Sequence, residues 1–447
     1  MNQKAETNPA AVATEPKQAG EACGQKWWWV EPTVWTERML KALERGVKGD
    51  KWFALMDKVF APSALRSAFV GVERNAGAAG VDGQSVMRFQ ARLEEEILHL
   101  SRQLRTQSYR PQPVRRVWIE KPGSKEMRPL GIPAVRDRTV QMSLRQVLEP
   151  IFERDFAPQS YGFRPGRGCK DALRRVDQLL KAGHHFIVDA DLKGYFDSIP
   201  HQPLMERVKE KISDGRVLKL VESFLKAGVL NELRQWEPTQ SGTPQGAVIS
   251  PLLANLYLHP LDVLMQQHGV EMVRYADDFI LLCRSAEEAQ AALEKVHVWT
   301  ERAGLQLHPQ KTRMVDMTQP GEGFDFLGYR FHHGGKRWPR RKSEKKLRDK
   351  VRPLTRRNNG ESLRAIIGNL HPILRGWYGY FRHTTGPVLG RIDGWVRGRL
   401  RSLLRKRCGR RGKAYGVDHQ RWPNAYFARH RLFSLYEAWC RDRQSQK

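Results

Sequence analysis

Residues 273–283 read VRYADDFILLC, and no other stretch of the chain restricts its fold so tightly. Two adjacent carboxylates, Asp277 and Asp278, stand between a Val-Arg-Tyr approach and a Phe-Ile-Leu-Leu exit. The apolar and aromatic flanks read as buried strands, so the pair falls at the tip of a hairpin. Taken alone it reads as an ordinary turn, because an Asp side chain bonds its own backbone there. The sharper reading is that both carboxylates project together and hold hard divalent cations through oxygen. The motif by itself leaves both open.

Charge narrows the choice. The 447 residues carry 77 Lys and Arg against 48 Asp and Glu, a formal charge of +29. So large an imbalance repels itself unless a polyanion meets it, with nucleic acid first and an anionic membrane surface second. The imbalance is also local. Residues 336–447 hold 31 basic and 7 acidic side chains, a net of +24, which leaves +5 for residues 1–335. Within 336–350, KRWPRRKSEKKLRDK, nine of fifteen residues are basic. Such a run is ordinarily a solvated face. Here aromatics recur beyond it, in GWYGYF (376–381) and RWPNAYFARH (421–430), and basic residues interleaved with stacking platforms suit nucleic-acid binding.

No apolar run reaches the length of a membrane span, and the N-terminus lacks the basic-then-apolar order of a signal peptide. A soluble protein of the cytoplasm, where it could associate with the nucleoid, with no membrane partner, is expected. The five cysteines, Cys23, Cys169, Cys283, Cys408 and Cys440, form no C-x-x-C pair, so neither a disulfide framework nor a zinc site is indicated.

Along the chain, residues 1–25 read as disordered. Helical periods follow at 52–75 and 86–104, separated by the glycine-bearing NAGAAGVDG (75–83). YRPQPVRRVWIEKP alternates like a strand. HFIVDADLKGYFDSIP (185–200) is a β-run closing in a turn, and TPQGAVISPLLANLYLHPLDVLM (243–265) is a loop entering a long apolar helix. After the YADD hairpin come a helix at 286–303, a strand near RMVDM and a second hairpin at 324–333. That order is a split βαβ sheet, an α+β architecture.

The first β-run supplies a third carboxylate, Asp191, at the exposed end of a central strand. If that strand lies beside the YADD hairpin, Asp191, Asp277 and Asp278 converge. Three such charges repel unless cations sit between them, and two Mg²⁺ ions roughly 3.5–4 Å apart are a known solution for in-line phosphoryl displacement.

YADD, DLKGYFD, SYGFRPGRG (160–168), TPQGAVISPLLANLYL and FLGYRFHHGGKRW, in this order, resemble the blocks of a reverse transcriptase. More narrowly, they resemble those of bacterial group II intron reverse transcriptase/maturases, over most of the chain. The resemblance implies a right-hand polymerase: an N-terminal extension (1–50, partly disordered), fingers (51–157), a palm with an antiparallel sheet (158–335), a helical thumb or maturase domain X (336–413) and a short basic C-terminal segment (414–447). It makes Asp191, Asp277 and Asp278 the metal-binding aspartates and Phe196 the steric gate under the sugar, where packing alone would make it a core Phe. Lys121 and Arg128 would grip the incoming triphosphate, though as isolated residues they are plain surface cations. Gln245 and Gly246 would lie against template and nucleotide, or else form a plain turn. Leu327, Gly328 and Tyr329 would support the primer end. Arg340, Arg341, Lys345 and Lys346 are the candidate RNA contacts, whereas the thumb's apolar residues read as bundle core.

The implied activity is RNA-directed DNA synthesis with two Mg²⁺ ions and deoxynucleoside triphosphates, on an RNA template with a DNA primer or target. The same protein would bind its group II intron RNA and assist splicing and retrohoming. The paired cysteines of an H-N-H endonuclease are not in evidence, so a second-strand primer from elsewhere is expected. Two other readings stay open: a splicing cofactor with a vestigial polymerase, and a domesticated or defence-associated reverse transcriptase.

Overall fold

A computed structural model describes residues 26–120, 127–231, 233 and 235–445. The disorder expected of residues 1–25, and Lys121, fall outside the described residues.

The sheet that carries the carboxylates forms from short, near-continuous apolar runs such as FILLC, the pattern of strands buried on both faces. Strands β1 (Phe186–Asp191), β2 (Glu271–Tyr275), β3 (Asp278–Cys283) and β4 (Arg313–Asp316) pair antiparallel in the order β2-β3-β1-β4. Val188, Ala190, Phe279 and Leu281 face one side, and Ile187, Ile280 and Leu282 face the other. Both sides are therefore covered, as buried strands require. Helices Ser250–Gln267 and Ala286–Arg302 pack on the first side; the second starts cleanly because Ser285 Oγ accepts the Glu288 N–H. Helix Cys169–Lys181 and a three-stranded sheet, Gly323–Phe326, Tyr329–His332 and Arg337–Pro339, cover the other.

A hairpin of Val114–Glu120 and Met127–Ile132 rises from the fingers, in register from Arg115↔Ile132 to Glu120↔Met127. The fingers and the palm share one continuous core. Trp27, Val34, Trp35 and Leu43 belong to it, and Trp35 Nε1 donates to the Gln146 carbonyl at 3.0 Å. The described part of the N-terminal extension, from residue 26, thus packs into the core of the fingers.

The thumb departs from expectation at both ends. Arg337–Pro339 pairs with Tyr329–His332 in the palm-side sheet, so the helices begin at Arg341. Helices Arg341–Leu354, Leu363–Phe381 and Gly386–Arg407 bury Leu347, Ile366, Leu370, Leu374, Val396 and Leu400 together. Trp422, Phe427, Leu435 and Ala438 join the same core. Buried Asp393 fixes the last helix, Leu435–Gln444: its carboxylate accepts the backbone N–H of Leu435 at 3.0 Å and of Tyr436 at 2.9 Å. Residues 414–445 therefore complete the thumb instead of trailing from it. The physical reason is that two amphipathic turns and a capped helix supply the apolar cover that three helices alone lack.

The aromatics of GWYGYF are also packing groups before they are stacking platforms. Tyr378 Oη donates to Asp442 at 2.8 Å, Tyr380 Oη donates to the Leu327 carbonyl at 2.7 Å, and the Phe381 ring lies 4.9 Å from that of Tyr329. Among the described residues no helix is long and apolar enough to cross a membrane, and Cys169, Cys283, Cys408 and Cys440 are free thiols.

Leu435 is fully buried. Leu435→Ala should cost about 2–5 kcal/mol by loss of burial and creation of a cavity, read as an earlier thumb transition in urea unfolding. A free tail predicts a change within about 0.5 kcal/mol.

Candidate active site

The hairpin that closes VRYADD is a two-residue loop, Ala276-Asp277, between paired Tyr275 and Asp278. Asp277 therefore sits in the turn and Asp278 opens the next strand. Asp278 is directly opposite Asp191 across the β1–β3 ladder. One-residue slippage would send Asp278 to the opposite face, so this register is what joins the first carboxylate to the second. Asp277 thus occupies the turn itself, while Asp278 meets Asp191 across the ladder.

Ala276 adopts φ 61°, a conformation that costs a residue with a Cβ. What holds it there is Arg274, whose side chain is completely buried. Its Nε donates to Asp262 Oδ1 at 2.7 Å and its Nη2 to Asp262 Oδ2; its Nη1 donates to Asn255 Oδ1 and to the Ala276 carbonyl, both at 2.9 Å. Burial opposes the guanidinium's charge, but Asp262 beside it prevails and raises its pKa. From the other side, SYGFRPGRG braces the same turn. Tyr161 N donates to the Arg274 carbonyl at 2.8 Å, and Asn255 Nδ2 donates to the Gly162 carbonyl at 2.7 Å. A Cβ on Gly162 would lie 2.2 Å from the Ala276 nitrogen, so only glycine fits.

The carboxylates are poised against their own charge. Burial pushes Asp278 up to about 7, helped by the negative charges of Asp189, Asp277 and Asp191 and opposed by Arg340. Burial, with Asp191, also raises Asp277, against Arg128 and Arg274. Asp189 is a fourth carboxylate, two residues before Asp191 on the same face, with Arg313 Nε 3.4 Å from its Oδ2. Lys311 Nζ lies 2.7 Å from Asp191 Oδ2. Among the described residues no group of three or more Asp, Glu, His or Cys side chains is arranged, as it stands, to hold a metal ion. The donor set nevertheless fits hard cations: oxygen ligands only, gathered at one strand end and mutually repelling. A cation there would compete with the Lys311 ammonium for Asp191.

Around these groups the other candidates fall as follows. Arg128, on the fingers hairpin, is exposed, and its charge favours the ionised forms of Asp277 and Asp197. The Gln245 carbonyl accepts Gly131 N–H at 2.7 Å, which seats the TPQG loop on the same hairpin. Gly246 has φ 106°, and a Cβ there would come within 2.6 Å of the Gly131 carbonyl. Phe196 is half-buried, and its carbonyl accepts the Thr243 N–H at 2.7 Å, tying it to that loop.

Leu327 and Gly328, with φ of 45° and 83°, form the tip of the second hairpin. Tyr329 does not face outward as its expected contact with the primer requires. It is fully buried, donating its hydroxyl to the Tyr380 carbonyl at 2.7 Å, and so anchors the hairpin to the thumb. Arg340 is separated from its expected companions. Half-buried, it donates its backbone N–H to the Gly328 carbonyl at 3.1 Å, and its charge weakly favours the ionised form of Asp278. Arg341, Lys345 and Lys346 are exposed on the following helix.

Sequence reasoning missed Asp189, Lys311 and the Arg274–Asp262 pair. The period of two along FIVDAD signals Asp189, and a lone Arg inside an apolar strand signals a buried partner. Nothing local signals Lys311, which meets Asp191 across 120 residues.

Known proteins resemble this chain over both the palm and the thumb. The family description "Reverse transcriptase (RNA-dependent DNA polymerase)" matches residues 119–331, and "Group II intron, maturase-specific domain" matches 344–422. Protein YkfC of Escherichia coli is 32% identical over 343 residues, 68% of this chain and 85% of that protein. The group II intron-encoded protein LtrA of Lactococcus lactis is 46% identical over 187 residues, 42% of this chain, but the match spans only 31% of that longer protein. An uncharacterized 91 kDa protein in the cob intron of Schizosaccharomyces pombe is 32% identical over 272 residues, 48% of this chain and 33% of that protein.

Replacing Asp262 by Asn leaves a buried guanidinium without its counter-charge. Asp262→Asn should destabilise the palm by about 3–5 kcal/mol, seen as a lower midpoint in thermal unfolding; an unchanged midpoint would show that the pair does not hold the turn.

Proposed function

The chain belongs to the reverse transcriptases that carry a group II intron maturase domain, and from that premise we propose that it copies RNA into DNA at Asp191, Asp277 and Asp278 while its thumb grips the intron RNA. The observation that carries the polymerase reading is the register Asp191↔Asp278 with Asp277 in the adjoining turn, held by a buried ion pair that has no other evident use. A vestigial polymerase would have no need to keep three mutually repelling carboxylates at one point.

Two Mg²⁺ ions held by the three aspartates would supply the Lewis acidity that lowers the pKa of the primer 3′-hydroxyl and meets charge on the leaving pyrophosphate. The chain's own residues do the rest. Arg128, joined by Lys121, meets the triphosphate charge. Gln245 and Gly246 would lie against template and nucleotide, on a loop that glycine lets seat tightly on the fingers hairpin. Phe196 excludes a 2′-hydroxyl by bulk. Leu327 and Gly328 support the primer end, with Tyr329 behind them as the anchor.

For intron RNA, the reading rests on the division of charge: +24 lies in residues 336–447. Arg341, Lys345 and Lys346, exposed on one helix, are the contacts we assign to RNA phosphates. Binding there would assist splicing and retrohoming, in the cytoplasm where the intron is transcribed.

Asp277→Asn keeps the turn propensity and size but removes a ligand charge. Primer extension on an RNA template with Mg²⁺ should fall by orders of magnitude while RNA binding persists; near-normal synthesis would sink the assignment.

Neutralising Arg341, Lys345 and Lys346 together should flatten the salt dependence of intron binding, by roughly 0.7–0.9 in log-log slope for each phosphate no longer neutralised. Filter binding across a salt series reads this, and an unchanged slope rules the helix out as the RNA anchor.

A further inference from the structure

Phe163 holds a conformation and a position that core packing does not explain. Its φ is 59°, in the region that strains any residue with a Cβ and that glycine adopts freely. Its neighbours keep it there. On one side Gly162 is wedged against the Ala276 backbone. On the other, Arg164 is buried, donating to the carbonyls of Ala157 and Ser160 and paired with Glu153 at 2.7 Å. A large apolar ring so firmly placed would ordinarily point into the core, yet Phe163 remains 42% exposed.

What it meets is Phe196. The two rings lie 6.3 Å apart, edge to face at 78°. Tyr195 approaches Phe196 at 5.5 Å and 66°, and Tyr195 is itself buried and fixed, its hydroxyl donating to the Ala254 carbonyl at 2.6 Å. Phe196 thus stands between one ring locked in the core and another facing solvent beside the YADD turn. A gate that works by bulk at one point must also be stiff, because a half-buried ring free to swing would admit the larger sugar.

We infer that Phe163 is a positioning residue for sugar discrimination: it walls the open side of Phe196 and keeps that ring where it collides with a ribonucleotide's 2′-hydroxyl. The inference rests on the gate reading of Phe196. It also accounts for the strain. Glycine would satisfy the backbone at position 163 at lower cost, and the chain retains a Phe, as strained residues at functional sites do when the side chain is needed.

The test compares Phe163→Gly, Phe163→Tyr, Phe196→Val and the double variant Phe163→Gly/Phe196→Val. Specificity constants, kcat/KM, are measured for one deoxynucleotide and its ribonucleotide on the same RNA template, alongside thermal unfolding. Phe163→Gly should lower the deoxy-to-ribo ratio roughly 2- to 10-fold, the range an edge-to-face aromatic contact supplies. Its unfolding midpoint should be unchanged or raised, since the left-handed backbone suits glycine. Phe163→Tyr should keep the parental ratio. Phe196→Val should lower the ratio further, and adding Phe163→Gly to it should change nothing more, because the wall then has no gate to hold. If Phe196→Val lowers the ratio and Phe163→Gly does not, the inference on Phe163 is overturned and the gate stands. If Phe196→Val leaves the ratio unchanged, the gate reading itself fails and takes this inference with it. Equal loss toward both nucleotides in Phe163→Gly, with a lower midpoint, marks a merely structural residue and also overturns it.

Discussion

The ion pair between Arg274 and Asp262, both at zero side-chain exposure, is the constraint on which the site depends. A buried pair of this kind is a poor source of net stability, because desolvation consumes most of the Coulombic gain. Its value is directional. The guanidinium has fixed donors, and here they reach Asp262 on one helix turn, Asn255 on another and the Ala276 carbonyl of the turn. Asn255 in turn reaches Gly162. One planar group thereby couples the helix Ser250–Gln267, the SYGFRPGRG segment and the hairpin tip, so the carboxylates sit on a turn that cannot relax independently of the palm.

Three of the eight non-glycine residues with positive φ among those described lie around the carboxylates and the second hairpin. Ala276, Phe163 and Leu327 all have positive φ without being glycine, and they lie at the YADD turn, beside the gate and at the tip of the second hairpin. Each is pinned by neighbours that leave no room to relax: Arg274 and Gly162 for the first, Gly162 and Arg164 for the second, Tyr380 and Ser343 around the third. Strained backbone held this firmly persists only where the surrounding structure over-determines it.

The thumb solves a different problem. Its surface is overwhelmingly basic, and its interior must hold such a surface together. It does so by capping with the few acids it has: Asp393 receives the last helix, and Asp418 pairs with Arg405 at 2.9 Å. The second hairpin then joins thumb to palm through reciprocal Tyr329–Tyr380 and Tyr380–Leu327 hydrogen bonds. The second hairpin and the thumb helix Leu363–Phe381 therefore move as one unit.

The order of blocks, the α+β palm, the helical thumb and the three aspartates were all legible in the amino-acid sequence. Strand alternation, turn chemistry and charge density are local properties, and each of those features is written in a few consecutive residues. Tertiary structure alone decided which side chains meet. Tyr329 looked like part of an exposed grip and is a buried anchor, because its strand is covered by the thumb helix. Arg340 looked like one more cation in a basic run and is instead half-buried beside the second hairpin, because the helix begins one residue later and the backbone there is tied to Gly328. Residues 414–445 looked like a tail and are core, because their apolar residues are sparse in sequence and find partners only across the bundle. Lys311 at Asp191 and Phe163 at Phe196 belong to the same class: contacts between segments that no local pattern relates, fixed by how the sheet, the loop and the helices close on one another.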